Sequence, residues 1–345
     1  MTGRRADRSR PESPDAPRQT AHIPVLVDTV LAALAPRDDA VYVDATFGGG
    51  GYSVALLAAA RCRVFGIDRD PEAVRHGRDL AKCLGGRLTI IQGRFGEMLH
   101  LLAPVIAEPI AGITFDLGVS SAQLDAPERG FSFRSDGPLD MRMSREGPSA
   151  ADLMVSLSER QLAQLIRDFG EERFAGRVAR AITAALRCRP IRRTIDLAEI
   201  VRAAVPTSEP GQDPATRTFQ ALRIAVNDEL GELDRGLVAA EQLLMPGGRL
   251  AAVSFHSLED RRVKQFLQWR SEGAPRASRH APCPVRTPAP SFKLLGRRAI
   301  RPDAAEIARN PRARSARLRA AERSAAPAWP AAFASPDRGR RGQGA

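Results

Sequence analysis

Apolar residues come in two kinds of run along this chain, and their alternation sets the expected fold. Short aliphatic runs occur at 41–44, 63–68, 87–92 and 110–116, each brief enough for a strand buried on both faces. Between them the apolar positions return at helical spacing, as in Val54 to Leu57 and onward. Strands alternating with helices imply a parallel sheet covered by helices on both sides. Ahead of the first strand, His22 to Leu26 reads as an extended entry leading into a helix that ends near Leu34.

After Asp116 the rhythm breaks. The next good strand is Arg249 to Phe255, far beyond the reach of one crossover helix. The gap is itself helical. Ser158 and Gln161 have capping-box spacing, and Leu162, Leu165, Ile166 and Phe169 follow on one face. A second helix carries Phe174, Val178, Ile182 and Leu186 on one side and Arg173, Arg177, Arg180 and Arg187 on the other. A third starts at Thr194, turns Leu197, Ile200 and Val201 inward, and stops before Pro206. The expectation is an inserted helical domain over residues 130–215. The sheet domain then occupies 21–129 and 216–324, resuming with a helix over 219–245 and the strand at 249–255. Phe292 to Ile300 and Ser315 to Ala321 read as closing strands. Residues 1–20 and 325–345, poor in core-forming positions, are expected to be disordered tails.

Composition narrows the class. With 345 residues and 43% hydrophobic content the chain can bury a sizeable core. No run of 18 apolar residues is present, so no membrane span is expected, and the N-terminus lacks the apolar stretch of a secretory signal. Cys62, Cys83, Cys188 and Cys283 have no metal or redox spacing, so no metal is expected and a cytoplasmic location with reduced thiols fits. The formal charge is +12, unevenly spread. Residues 271–345 hold sixteen Lys or Arg against five acids, and residues 1–20 five Arg against three. Charge gathered in this way suits a polyanion, nucleic acid first.

The chemistry centres on Asp44 to Ser53, between a strand and a helix. Four glycines, Gly48 to Gly51, let a ligand lie against the backbone, and the N–H groups opening the next helix favour its negative end. A second acid, Asp68, closes the next strand, where a carboxylate accepts ribose hydroxyls. The pattern misses the last glycine of a dinucleotide fingerprint. Asp44 would repel a pyrophosphate and attract the ammonium of a methionine moiety, which favours S-adenosylmethionine over a dinucleotide. The loop from Asp116 to Asp125 follows the fourth strand, beyond whose carboxyl end ligands bind in such sheets. A base amine is a poor nucleophile because its lone pair is delocalised. Acceptors must hold its hydrogens and aim the lone pair at the methyl group. Asp116 and Ser120 are the candidate catalytic residues. A dinucleotide dehydrogenase, a DNA amine methyltransferase and an RNA-binding protein without catalysis remain the alternatives.

Longer motifs carry a resemblance to one family. Asp44 to Gly51, Asp116 to Asp125, Glu128 to Phe133, Gly137 to Met143, Pro214 to Gln220, Ser254 to Arg261 and Asn310 to Ser315 together resemble the RsmH (MraW) family over about residues 22–323. The resemblance implies a class I (Rossmann-like) methyltransferase sheet with an inserted helical domain. It implies methylation of the exocyclic N4 of a cytidine in the decoding region of bacterial small-subunit (16S) ribosomal RNA, free or in the assembled subunit. Position by position, it puts cofactor contacts on Gly50, Gly51, Tyr52, Asp68, Phe95, Asp116 and Gln123. Family members commonly have His where Tyr52 stands; a contact through the backbone would survive that change. His256, Asp140, Arg142 and Arg217 fall in matched motifs without an assigned role.

Overall fold

A computed structural model describes residues 24–207, 211–272 and 288–330. The expected tail at 1–20, the entry at His22 and most of the tail at 325–345 lie outside them. Seven strands form one sheet: β1 (Val41–Asp44), β2 (Arg63–Asp68), β3 (Leu88–Gln92), β4 (Ile110–Asp116), β5 (Leu244–Ser254), β6 (Phe292–Leu294) and β7 (Arg317–Arg323). Their order is β3-β2-β1-β4-β5-β7-β6. The first five run parallel, and β7 lies antiparallel between β5 and β6. This is a class I methyltransferase sheet. The order reverses at β1, where β2 lies on one side and β4 on the other, so a crevice opens at the carboxyl ends of these three strands.

Alternation along the strands supplies two cores. Val41, Val43, Phe65, Ile67, Ile113 and Phe115 face one layer of helices. Tyr42, Val64, Ala111, Ala251 and Val253 face the other. A third core is built of helices and the loops before them and runs from Phe131 to Leu222. Its helices span Ala150–Ser156, Glu159–Gly170, Ala175–Cys188, Thr194–Ala204 and Ala215–Asn227. The Ser158–Gln161 capping box is present, and Leu162, Ile166, Val178 and Ile182 are fully buried.

Four expectations change. The single helix at 219–245 is two, Ala215–Asn227 and Glu229–Leu243. They are separated by Asp228 in the left-handed region at φ 51°, a conformation Asp tolerates through local hydrogen bonding. β5 begins at Leu244 rather than Arg249, because Leu244 already pairs with Ile110 and Pro246 to Gly248 fall in a register irregularity. The strand expected over 292–300 stops at Leu294, and Ile300 only bridges Leu318. Residues just after 324 are not a loose tail throughout: Trp329 is 2% exposed. Its ring lies 4.5 Å from the buried Arg270 guanidinium, and its indole N–H donates to the Ala289 carbonyl.

Two buried polar residues join the sheet to the insertion. Asn227 donates to the Met141 carbonyl at 2.7 Å and accepts the Met143 N–H at 2.9 Å. Arg129 donates to Asp70 at 2.8 Å and to the carbonyls of Arg142 and Met143. Because β2 ends two residues before Asp70, the insertion is tied directly to the edge of the crevice.

Candidate active site

Three carboxylates stand side by side at the carboxyl edge of the sheet. Asp44 closes β1 and is level with Gly66 of β2 and Thr114 of β4. Asp68 and Asp116 therefore project two residues beyond it on either side, and Asp44 forms the floor of a notch. Asp44 accepts from Ser53 Oγ at 2.8 Å. Asp68 accepts from the N–H groups of Gly48 and Asp70 at 2.7 and 2.8 Å. Asp116 Oδ1 is buried with no partner. Burial pushes the carboxyls of Asp44 and Asp68 up to about 6. Burial, with Asp44 and Glu259 beside it, pushes that of Asp116 up to about 8. Among the described residues no cation pairs with any of the three, which is the electrostatic character of the site.

The glycine loop shapes the mouth of the notch. Phe47 N–H donates to the Ile67 carbonyl, which draws the loop over β2, and Thr46 Oγ1 accepts the Asp116 N–H. Gly50 sits at φ 78° before the helix Gly51–Ala59. A Cβ there would lie 2.6 Å from the Phe47 ring, and one on Gly51 would lie 2.8 Å from Pro24. Only a bare backbone fits at both positions, with the first N–H groups of the helix beside Asp44. The loop thus offers donors to an anionic group next to acceptors for a cationic one. An amino acid end with carboxylate and ammonium matches that pair, and a sulfonium matches the unpartnered Asp116.

The other sequence-derived candidates fall at varied distances from this notch. Tyr52 turns its side chain into the core, 3% exposed, and donates its hydroxyl to the Val25 carbonyl, so only its backbone faces the loop. Phe95 lies past β3 with its ring edge-on to Phe115 at 5.5 Å. Ser120 caps the short helix Ser121–Asp125. Gln123 accepts the Ser120 N–H at 3.0 Å and donates to Asp70 at 2.8 Å, which makes it a brace between the loop after β4 and the end of β2. Asp140 and Arg142 pair with each other at 2.6 Å, and Arg217 donates to the Glu171 carbonyl; all three stabilise the insertion's loops.

A cleft of about 1010 Å³ lies between the insertion and the end of β5. Phe133, Arg202 and Thr216 line it on one side, and Phe255, His256 and Arg317 on the other. A Cβ on Gly118, two residues past Asp116, would lie 3.9 Å from Phe255, which lines the cleft, and from Glu259. Below the floor sit residues that sequence reasoning did not single out. Glu259 accepts the N–H of Phe255 and lies 3.1 Å from His256 Nε2, although the angle leaves that nitrogen without a hydrogen bond. Burial alone would raise Glu259; His256 and Arg223 outweigh it and hold the carboxyl below its usual range. Glu229, His256 and Glu259 bring ligand-type atoms within 4.8 Å of one another. Arg223, however, already holds both oxygens of Glu229 at 2.8 Å, so this is a compensated ion-pair cluster. The only signal in the sequence was Ser254 to Arg261 as a motif; Arg223 and Glu229 are distant from it along the chain.

Comparison with known proteins gives the family. Residues 19–324 match the model of the MraW methylase family. Over 309 residues the chain is 60% identical to the ribosomal RNA small subunit methyltransferase H of Paramagnetospirillum magneticum, covering 89% of this chain and 97% of that relative. Over 318 residues it is 61% identical to the protein of the same name from Rhodospirillum centenum, covering 92% and 96%. A solved rRNA methylase from Streptococcus thermophilus is a far looser likeness, 14% identical over 86% of this chain and 93% of its own, with a TM-score of 0.35.

Proposed function

The chain belongs to the MraW methylase family, and from that premise we propose that it methylates small-subunit ribosomal RNA at the exocyclic N4 of a cytidine in the decoding region. S-adenosylmethionine is the methyl donor, and when bound it supplies an electrophilic methyl group on a sulfonium. The observation that carries the reading is Asp116. Its Oδ1 is buried without a partner at the carboxyl end of β4, two residues beyond Asp44 on the neighbouring strand.

Each residue has a task that follows from its position. Asp44 holds the donor's ammonium, and Asp68 takes the ribose hydroxyls. Gly50 and Gly51 admit its backbone-hugging end, and Phe95 borders the adenine. With a cationic donor bound, the Asp116 carboxyl would be held ionised and would accept hydrogen from the incoming amine. With the loop carbonyls near Ser120, Asp116 would hold the amine's hydrogens and orient its nitrogen lone pair, and the bound donor would supply the methyl group. The base must leave its stack, at about a few kcal/mol. Phosphate contacts from exposed cleft arginines such as Arg134 and Arg301 offset that cost, so binding weakens with salt. The amine loses its extra proton after the methyl has moved, and His256 at the floor is placed to steer it outward.

The test is transfer of labelled methyl to small ribosomal subunits that lack the modification, followed by nucleoside analysis. Label in N4-methylated cytidine, lost in an Asp116→Ala variant, is the expected result. Label in any other nucleoside overturns the choice of acceptor, and no label in any RNA overturns the reading itself.

A further inference from the structure

We infer that the outer face of the helix Ala175–Cys188 is a docking track for the ribosomal RNA flanking the target nucleotide, separate from the cleft that receives the base. This rests on the proposed substrate class and names the surface that holds it. The helix buries Ala175, Val178, Ala179 and Ile182 completely. Arg177, Arg180 and Arg187 recur at helical spacing on the opposite face, and all three are exposed. Arg192 continues the line past the helix end, also exposed.

Two further facts separate this stripe from an ordinary solvated face. Arginines packed against the body of the protein are matched, as where Arg202 grips Asp213 with two nitrogens, Arg223 grips Glu229, and Arg319 grips Asp260. Among the described residues, Arg177, Arg187 and Arg192 have no acidic partner, and Arg180 reaches Glu159 only at 3.7 Å while 77% exposed. The stripe also leads to the cleft. Arg189 pairs with Asp196 and Arg193 with Asp136, beside Arg134 and Ile195, which line the cleft wall. From Arg177 to Arg187 the helix advances roughly 15 Å, the scale of a few nucleotides of backbone. An unpaired guanidinium every one or two turns suits phosphates, which need charge and donors but no sequence reading.

The experiment compares the unsubstituted protein with an Arg177→Gln, Arg180→Gln, Arg187→Gln variant in binding a protein-free small-subunit ribosomal RNA fragment and assembled small subunits across a salt series. Matching thermal midpoints and S-adenosylmethionine affinity establish that the variant is folded. The expected result is affinity weaker by about tenfold for both probes at physiological salt, with the slope of log K against log salt shallower by about two for three lost contacts. Unchanged affinity and slope for the RNA fragment overturn the inference. So does weakening confined to assembled subunits, which would assign the stripe to a ribosomal protein. The underlying reading fails differently, through the absence of methyl transfer by the unsubstituted protein.

Discussion

Buried acids occur in two settings in this molecule. Away from the notch, several are locked to arginines. Glu241 and Arg270 are both fully buried and 2.8 Å apart, with Ser291 and the Trp329 N–H completing the carboxylate's hydrogen bonds. Asp70 has Arg129, both 4% exposed, and Asp260 has Arg317 and Arg319. At the carboxyl edge of the sheet, Asp44, Asp68 and Asp116 lie together with no cationic partner among the described residues. The same residue type therefore does two jobs. Paired, it locks distant segments; unpaired and buried, it is a standing demand for positive charge that a ligand must supply.

The largest effect should come from breaking a lock. Arg270→Met leaves Glu241 buried without its partner, and chemical denaturation should show a loss of about 3–5 kcal/mol. The matching change in the notch, Asp116→Asn, removes a carboxylate that has no partner to strand. It should leave the cofactor-free protein as stable as before or slightly more so. A large destabilisation by Asp116→Asn would erase the distinction between the two settings.

Catalysis should respond in the opposite sense. Asp116→Ala should lower kcat by roughly a hundredfold or more, the scale for losing one aimed polar group at the reacting centre. Initial rates on small subunits give that number directly. Asp44→Asn should act instead on cofactor affinity, read by calorimetry.

The notch should also set a pH dependence. For Asp116 the folded carboxyl is raised from 3.8 to about 8, and Asp44 and Asp68 are raised to about 6. The folded state keeps these protons longer than the unfolded chain. Their contribution to stability is therefore greatest at low pH and declines as pH rises from about 4 to about 8. Cofactor affinity should move the other way, tightening over about pH 6 to 8 as the carboxylates ionise. Thermal melts and titrations of the Asp116→Asn variant should show the upper part of both trends flattened.

The smallest effect is expected at Tyr52. Tyr52→Phe removes one buried hydrogen bond to the Val25 carbonyl and should cost about 1 kcal/mol of stability, with cofactor affinity unchanged. A large loss of cofactor affinity would mean that the hydroxyl, rather than the backbone, serves the loop.

Local patterns made much of this legible. Strand ends at Asp44, Asp68 and Asp116 follow from short aliphatic runs closed by an acid, and the glycine turn follows from four residues without side chains. The inserted helices follow from apolar spacing and the Ser158 cap. Where the reading slipped, the deciding contact was remote. The break at Asp228 accompanies Asn227 reaching Met141, and the early start of β5 reflects pairing with Ile110. Trp329 is ordered by Arg270 and Ala289.

The chain by itself determined which residues could end a strand, open a helix or admit a ligand, because those are properties of neighbours a few positions apart. Only the tertiary structure decided that Asp44, Asp68 and Asp116 meet without a cation while every other acid named here found one. It also decided that Tyr52 points inward and that Gln123 braces Asp70. Charge compensation depends on which distant side chains the sheet register and helix packing bring within a few ångströms, and no spacing along the chain records that.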